Sequence, residues 1–446
     1  MIKKNSNIKE IFNLAFEHHQ KNNLQTAAKF YKQILEIEPD HIESIFYLGS
    51  LSVQTKNYDS AKQLLNKTIQ IDPKHAKAHN NLGIAFQQLS EHKESIKCFV
   101  KAIQINPNFA DAHCNLAIVY MSIGKYVEAL KYCDETLNLA PDMIKAINLK
   151  SEILKKNVPD WHVSMMNDND RNNFYFSALK SVINTDSNVF VIGTGSGLLS
   201  IMAANLGARE IIACETNSIV ANTAKKVIAD NNFSKKIKVV SKNSNNIKVG
   251  EDLSKPADIL VSEIFASELL GEGVLQSLED AKKRLITKNA KIIPEYGSIM
   301  ISLFGGNDIG KNIYTEKFEN IKLKKFNTIT PKKLFLHRQD LKIHLMSDVH
   351  EAFRFDFVSK NNFPSESKKI EIEAIKKGIS YGIIQWIKLE MDNGLKYENH
   401  PANLTSASGW QKILYVFDDP IELSIGQKMV ITAKHERNNV WFFLEK

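Results

Sequence analysis

The chain is poor in cysteine, with four in 446 residues, at positions 98, 114, 133 and 214. Their spacing fits neither a disulfide framework nor a zinc site. It points to a reducing, cytosolic setting, with the nucleus left open, and to no bound metal. Long apolar runs are missing too. None approaches the ~20 residues that cross a bilayer, so no membrane span or membrane partner is expected. In the first twenty residues apolar side chains alternate with charged ones, which does not read as a signal peptide. Nor is there a block of one charge. The net charge of +8 comes from 58 basic and 50 acidic residues, and divides into +4 over residues 1–156, +1 over 157–293 and +3 over 294–446. Such a spread reads as solvated surface, and no direct nucleic-acid partner is expected. What is present is ordinary globular composition, 43% hydrophobic and 24% charged, which excludes wholesale disorder and fibrous structure.

The N-terminal third is periodic. Prolines fall at 39, 73, 107 and 141, each 34 residues from the last. That is the period of a tetratricopeptide repeat, two antiparallel helices per unit. Aligned on the proline, the first helix carries a small residue at Ala15, Gly49, Gly83 and Ala117, each preceded by a leucine (14, 48, 82, 116). The second helix carries Ala27, Ala61, Ser95 and Ala129. Small residues let the paired helices approach, and the leucines are expected to fill the seam. Residues 144–156 continue the helical pattern and read as a capping helix, because an open solenoid end leaves its apolar face wet. Just before each leucine stand Asn13, Tyr47, Asn81 and Asn115. Asparagine amides at a repeated position can grip a peptide backbone, or can simply decorate a groove. The region resembles tetratricopeptide-repeat proteins, which implies a bound protein or peptide partner.

After residue 157 the register stops. Apolar strand-like runs at 187–193, 210–215, 236–241, 257–263 and 289–295 alternate with helical stretches, which implies a doubly wound parallel sheet. The first run ends in Gly193-Thr194-Gly195-Ser196-Gly197 and turns into a helix. Glycine there lets backbone approach a ligand. The second run ends in Glu215, where an acid can accept from both hydroxyls of a ribose. Together they favour an adenosine ligand. The fourth run ends at Glu263, followed by Glu268 and Glu272. Carboxylates crowded at a pocket edge call for a cation, and a guanidinium is the natural guest. Residues 294–446 lose the alternation. Runs at 379–391, 411–419, 427–436 and 439–446 are rich in β-branched and aromatic residues and read as strands.

Five stretches carry a further resemblance: WHVSMMNDNDRNNFY (161–175), VFVIGTGSGLLS (189–200), IIACETN (211–217), SEIFASELLGEG (262–273) and GWQKILYVFDDPIEL (409–423). In these, residues 157–446 resemble the protein arginine methyltransferase family. The fold so implied is an all-α repeat solenoid over 1–156, an α/β Rossmann-like domain binding S-adenosyl-L-methionine over 157–293, and a C-terminal β-barrel over 294–446 with a dimerisation arm within 305–345. The resemblance makes Arg171 the partner of the cofactor carboxylate. It makes Gly193 and Gly195 the lining of its methionine and ribose, Glu215 the ribose acceptor, and Asn243 or Ser244 the adenine contact. Glu263 and Glu272 become the pair that grips a substrate guanidinium, with Met165 and Trp410 on the substrate side.

The chain also departs from that family. The first-strand aspartate is Val191, a second active-site methionine is Val274, and the Thr-His-Trp loop reads Ser408-Gly409-Trp410, so Asp168 lacks its histidine partner. The subgroups most similar to it carry tandem modules, make monomethyl or symmetric dimethyl arginine, and in one case bear N-terminal repeats. A single module then implies a homodimer. An arginine methyltransferase with substrate-recruiting repeats is the leading expectation. A scaffold that has lost catalysis and a small-molecule methyltransferase are the alternatives.

Overall fold

The computed structural model describes residues 2–159, 161–336, 342–403 and 409–445, with side chains from residue 7 onward. Ser408 and residues 337–341 of the expected arm lie outside them. The chain forms two compact units, Met1–Asn157 and Val158–Lys446.

In the first unit the described residues form nine consecutive helices: Ile2–Gln20, Leu24–Ile37, Ile42–Gln54, Tyr58–Ile71, Ala76–Gln88, His92–Ile105, Ala110–Ser122, Tyr126–Leu139 and Ile144–Asn157. The small residues are where the helices of a pair meet. Ala15, Ala27, Ala61, Ser95, Ala117 and Ala129 are fully buried. A β-carbon at Gly83 would come within 2.7 Å of the Phe99 ring, itself fully buried. His41, Asn57 and His75 accept from the first-turn amides of the helices they precede. Leu48, Leu82 and Leu116 are buried as the seam requires, but Leu14 is 46% exposed.

The repeated asparagines behave differently from a row of free amides. Lys145 Nζ donates to Asn115 Oδ1 (3.0 Å), Asn115 Nδ2 to Asn80 Oδ1 (3.1 Å), Asn80 Nδ2 to Asn81 Oδ1 (3.3 Å) and Asn81 Nδ2 to Ser50 Oγ (2.8 Å). Ser50 Oγ ends the row on the Phe46 carbonyl (2.9 Å). One same-sense chain of donors therefore links the first helices of successive repeats. Each bond polarises the next, and any shift in repeat register leaves a half-buried amide unpaired.

The second unit begins with helices Trp161–Met166 and Asn169–Val182. Then come five strands, β1 (Asn188–Ile192), β2 (Glu210–Cys214), β3 (Ile237–Val240), β4 (Ala257–Ser262) and β5 (Ile286–Ile293). They pair in parallel in the order β3-β2-β1-β4-β5. All five residues of β1 are buried, which explains its unbroken apolar run. The chain turns from one half of the sheet to the other between β1 and β4, and ligand sites form at that crevice.

Past β5 the strand pairings among the described residues are antiparallel. Strand Tyr296–Gly305 pairs with both His350–Asp356 and Gly378–Glu390, and the latter also pairs with Lys412–Leu423. A second sheet joins Glu366–Glu373, Lys428–His435 and Val440–Leu444. The pairings among the described residues form antiparallel sheets of seven, three and two strands and close no ring, where a barrel was expected. The strand at 296–305 was not anticipated from the sequence. Nine of its ten residues are buried, so it lacks the alternation that marks a half-exposed strand. One hydrophobic core runs through both sheet systems, with Val261, Phe265, Leu269, Phe357, Leu389 and Trp410 in it.

Candidate functional site

The crevice between β1 and β4 is built from three loops. After β1, Gly193 adopts φ +78, and a β-carbon there would lie 2.5 Å from Ile264 Cγ2 and 3.3 Å from the Glu263 carbonyl. Only glycine lets the two strand ends lie this close. Gly193 and Thr194 donate to the Cys214 carbonyl at 3.1 and 3.0 Å. Gly195, at φ +51, has nothing within 4 Å of the place a β-carbon would occupy, so its face is open. Its amide donates to Glu215 Oε2 (3.1 Å), and Glu215 Oε1 accepts from the Asn217 amide (2.9 Å). Glu215 thus ties the β1 and β2 loops together; Oε1 also accepts from the Thr216 hydroxyl, and Oε2 keeps acceptor capacity for a ligand hydroxyl.

Across the crevice, Asp168 caps helix Asn169–Val182 by accepting from the Arg171 amide (3.0 Å). Arg171 is 3% exposed. Its Nη2 lies 2.7 Å from Glu263 Oε1, and Nη1 donates to Asn172 Oδ1 (2.7 Å). The guanidinium lies 5.2 Å from the Tyr175 ring centre and 5.8 Å from that of Trp410. Burial acts against the Arg171 charge, but the Glu263 carboxylate outweighs it and holds the group above its ordinary value. Burial raises the Glu263 carboxyl, and the pull of Arg171 offsets this only in part. The 2.7 Å contact and the raised guanidinium mark this as an ionised pair.

His162, Met165, Met166, Arg171, Thr194, Gly195, Ser196, Leu198, Leu199 and Glu263 line a small open cleft. Four of the residues singled out in the sequence, Met165, Arg171, Gly195 and Glu263, meet on this wall. Trp410 is not part of this lining; it is buried beside Arg171 and donates from Nε1 to the Phe265 carbonyl. Glu272 is open to solvent. Crowding by protein, then the like charges of Glu263 and Glu215, push its carboxyl up to about 7. Water on its exposed side keeps the free-energy consequence small.

The three acids of the loop therefore separate. Glu268 is held by Lys333 at 2.9 Å, and Lys333 Nζ sits between the Tyr415 and Trp441 rings. Glu263 faces Arg171 within the cleft, and Glu272 stands apart on the solvent-exposed side. Asn243 and Ser244 stand past β3, off the lining of the cleft. Asn243 caps the short turn Ser244–Asn246, and buried Ser244 offers its carbonyl to Arg284. Among the described residues no group of three histidines, cysteines or acids could hold a metal ion.

His162 was not singled out in the sequence. It lies three residues before Met165, so it shares that residue's helix face, and burial lowers its imidazole against the opposing pull of Glu215. Its position within WHVSMMNDNDR was the available signal.

Residues 173–294 match the family described as ribosomal protein L11 methyltransferase (PrmA), and residues 3–158 match the tetratricopeptide repeat protein 21 C-terminal ARM domain. The chain is 29% identical to an arginine N(omega)-methyltransferase of Streptomyces achromogenes over 63% of its own length and 77% of that protein's. It is 32% identical to protein arginine N-methyltransferase 7 of Oryza sativa, covering 56% of this chain and 38% of that one. It is 27% identical to the Gallus gallus protein of the same name, covering 64% and 46%. The chain thus spans less than half of these rice and chicken relatives. Among solved structures, a Trypanosoma brucei PRMT1 enzyme–prozyme heterotetrameric complex with AdoHcy superposes with a TM-score of 0.53 at 20% identity, covering 62% of this chain and 87% of that one. Arabidopsis thaliana protein arginine methyltransferase 10 gives 0.50 at 16%, covering 64% and 95%. At these identities the likeness is one of fold.

Removing one end of a buried ion pair leaves the other charge uncompensated, which typically costs ~3 kcal/mol or more. Glu263→Ala is expected to destabilise the second unit by about that amount in urea unfolding followed by tryptophan fluorescence. A loss below ~1 kcal/mol would contradict a buried, ionised pair.

Proposed function

We propose that this chain, a relative of the protein arginine methyltransferases over about six tenths of its length, transfers a methyl group from S-adenosylmethionine to a guanidinium nitrogen of arginine in protein substrates. The observation that carries this reading is the single cleft in which a buried guanidinium, a glycine turn with an open face and the Glu263 carboxylate converge. The site's residues suit the cofactor. Gly193 and Gly195 admit a ligand against the backbone, Glu215 offers an acceptor for a ribose hydroxyl, and Arg171 offers a cation for a carboxylate. His162 joins that wall. When bound, the cofactor supplies an electrophilic sulfonium methyl.

Glu263 and Glu272 hold the substrate guanidinium, and Trp410 and Met165 restrict where it lies. Arginine arrives charged, so the task is orientation. Two carboxylates facing its far nitrogens would leave one nitrogen directed at the methyl; as the N–C bond forms the sulfonium S–C bond breaks, the attacking nitrogen gives up a proton to water, and the carboxylates stabilise the single positive charge that remains. Asn243 and Ser244 remain the proposed neighbours of the adenine, at the end of β3.

Purified protein with labelled cofactor and an arginine-rich peptide should yield methylarginine, and Glu263→Gln or Glu272→Gln should each lower kcat at least ~100-fold. The peptide kcat/KM should rise with pH through about 7 and level off above it. Glu272 is protonated below that value, and only its carboxylate attracts the guanidinium. An unchanged rate in either variant would refute the paired-glutamate role. The Streptomyces relative is named for arginine without reference to protein, which favours free arginine as a second reading. Transfer to L-arginine with none to the peptide would establish that one.

The helical repeats are read as tetratricopeptide repeats that recruit the protein substrate, and the setting as the cytoplasm. Deleting residues 1–157 is expected to lower methylation of a full-length protein at least tenfold and of a short peptide less than threefold, since recruitment acts through local concentration. Equal losses would mean that the repeats do not recruit.

A homodimer is proposed as well. Phe318, Ile321, Phe326 and Ile329 are each at least 60% exposed on one short stretch, an apolar surface of the kind that marks an interface. Light scattering should give about 100 kDa at micromolar concentration, and the mass of one chain, 50.5 kDa, would refute it.

A further inference from the structure

We propose that Tyr397 is a positioning residue for the cofactor site, acting through Asp168 on Arg171. Asp168 is fully buried. One of its oxygens caps the helix that carries Arg171 (Arg171 N, 3.0 Å), and the other accepts from Tyr397 Oη at 2.7 Å. This hydrogen bond joins the helical entry of the α/β part to the antiparallel part, across 229 residues of sequence. A carboxylate at a helix N-cap can turn about its own side-chain torsions. With its second oxygen held, it has one orientation, and the first helical turn inherits it. The Arg171 side chain leaves from that turn.

The segment that presents Tyr397 is fastened on every side. Strand Lys396–Glu398 pairs with Gly378–Glu390, Leu389 lying opposite Tyr397. Next to it, Glu398 accepts from Trp386 Nε1 (2.7 Å). Asn399, 2% exposed, accepts from the Ile387 amide (2.9 Å) and donates to the Trp410 carbonyl (2.8 Å). Tyr397 also packs its ring against Trp410, centroids 5.3 Å apart at 62°, and Trp410 is the residue whose ring lies 5.8 Å from the Arg171 guanidinium. The same corner thus sets both the helix cap and the aromatic ring beside the Arg171 guanidinium.

Residue 409 itself has no room for a side chain that could take this place. A β-carbon at Gly409 would stand 2.7 Å from Met165 Cβ and 2.8 Å from its Cα, so any side chain there would displace the helix that lines the cleft. The resemblance to arginine methyltransferases places the partner of Asp168 at residue 409, and in this chain the tyrosine hydroxyl supplies it from a different strand.

The inference rests on the reading of Arg171 as the cofactor's partner, and the test separates the two. In the full chain, S-adenosylhomocysteine affinity is measured by titration calorimetry for the wild type, Tyr397→Phe, Arg171→Ala and the double variant, with melting temperatures alongside. Tyr397→Phe removes one hydroxyl and keeps the ring, and its affinity is expected to fall about tenfold, within the range for a buried acceptor losing its donor. Because Tyr397 acts through Arg171, adding Tyr397→Phe to Arg171→Ala should cost less than twofold more. Losses that multiply in the double variant would overturn the proposal, as would a Tyr397→Phe variant that melts lower yet binds within twofold of the wild type. If Arg171→Ala binds normally, the cofactor reading fails and this proposal with it. If Arg171→Ala loses affinity and Tyr397→Phe does not, the cofactor reading stands and the proposal alone fails.

Discussion

A single buried cation organises the second unit. The Arg171 guanidinium is withdrawn from water almost completely, and such a charge is tolerated only where it is paired and hydrogen-bonded. Its partners come from separate parts of the chain: Glu263 from the end of β4, Asn172 from its own helix, Tyr175 one turn on and Trp410 from the antiparallel part. Meeting those demands at once forces the entry helix, the parallel sheet and the antiparallel sheets into one arrangement. It also leaves a charged, oriented and dry wall at the switch point of the parallel sheet, where a bound group meets fixed charges instead of reorganising water.

Around that cation, the loops are held by short backbone-directed bonds. Glu215 spans from the Gly195 amide to the Asn217 amide, the Cys214 carbonyl receives two amides from the glycine turn, and Glu263 N reaches the Ile192 carbonyl. Lys333 draws Glu268 away from the other two acids and buries its own charge between aromatic rings. The acidic loop is thereby divided, with one carboxylate spent on structure, one paired within the cleft and one, Glu272, at the solvent-facing edge.

The repeat unit follows a different logic. Its stability comes from repeated small-to-large contacts, Gly83 against Phe99 and Gly49 against Leu65, that any two neighbouring hairpins could satisfy. The row from Lys145 to Ser50 adds direction, because each amide must meet a partner of the opposite kind in the adjacent repeat. The asparagines looked like free hands for a peptide when read as a column. In three dimensions their amides first hold one another.

Local signals by themselves determined the order of elements: the 34-residue proline step, the apolar runs of the parallel strands, the glycine turn after β1 and the acids that end β2 and β4. Each depends on neighbours within a few residues, through helix periodicity, strand burial or backbone freedom, so it is written in the sequence next to where it acts. The sequence also pointed to Arg171 and Glu263 as parts of one site, but through a family pattern and not through anything that says they touch. Tertiary structure alone decided that pairing, the division of the three acids, the place of His162 in the cleft and the partner of Asp168. Those depend on side chains up to 229 residues apart, brought together by the packing of one sheet system on the other. No local period records such a distance, which is why a tyrosine in a three-residue strand left no mark in the sequence of the site it holds.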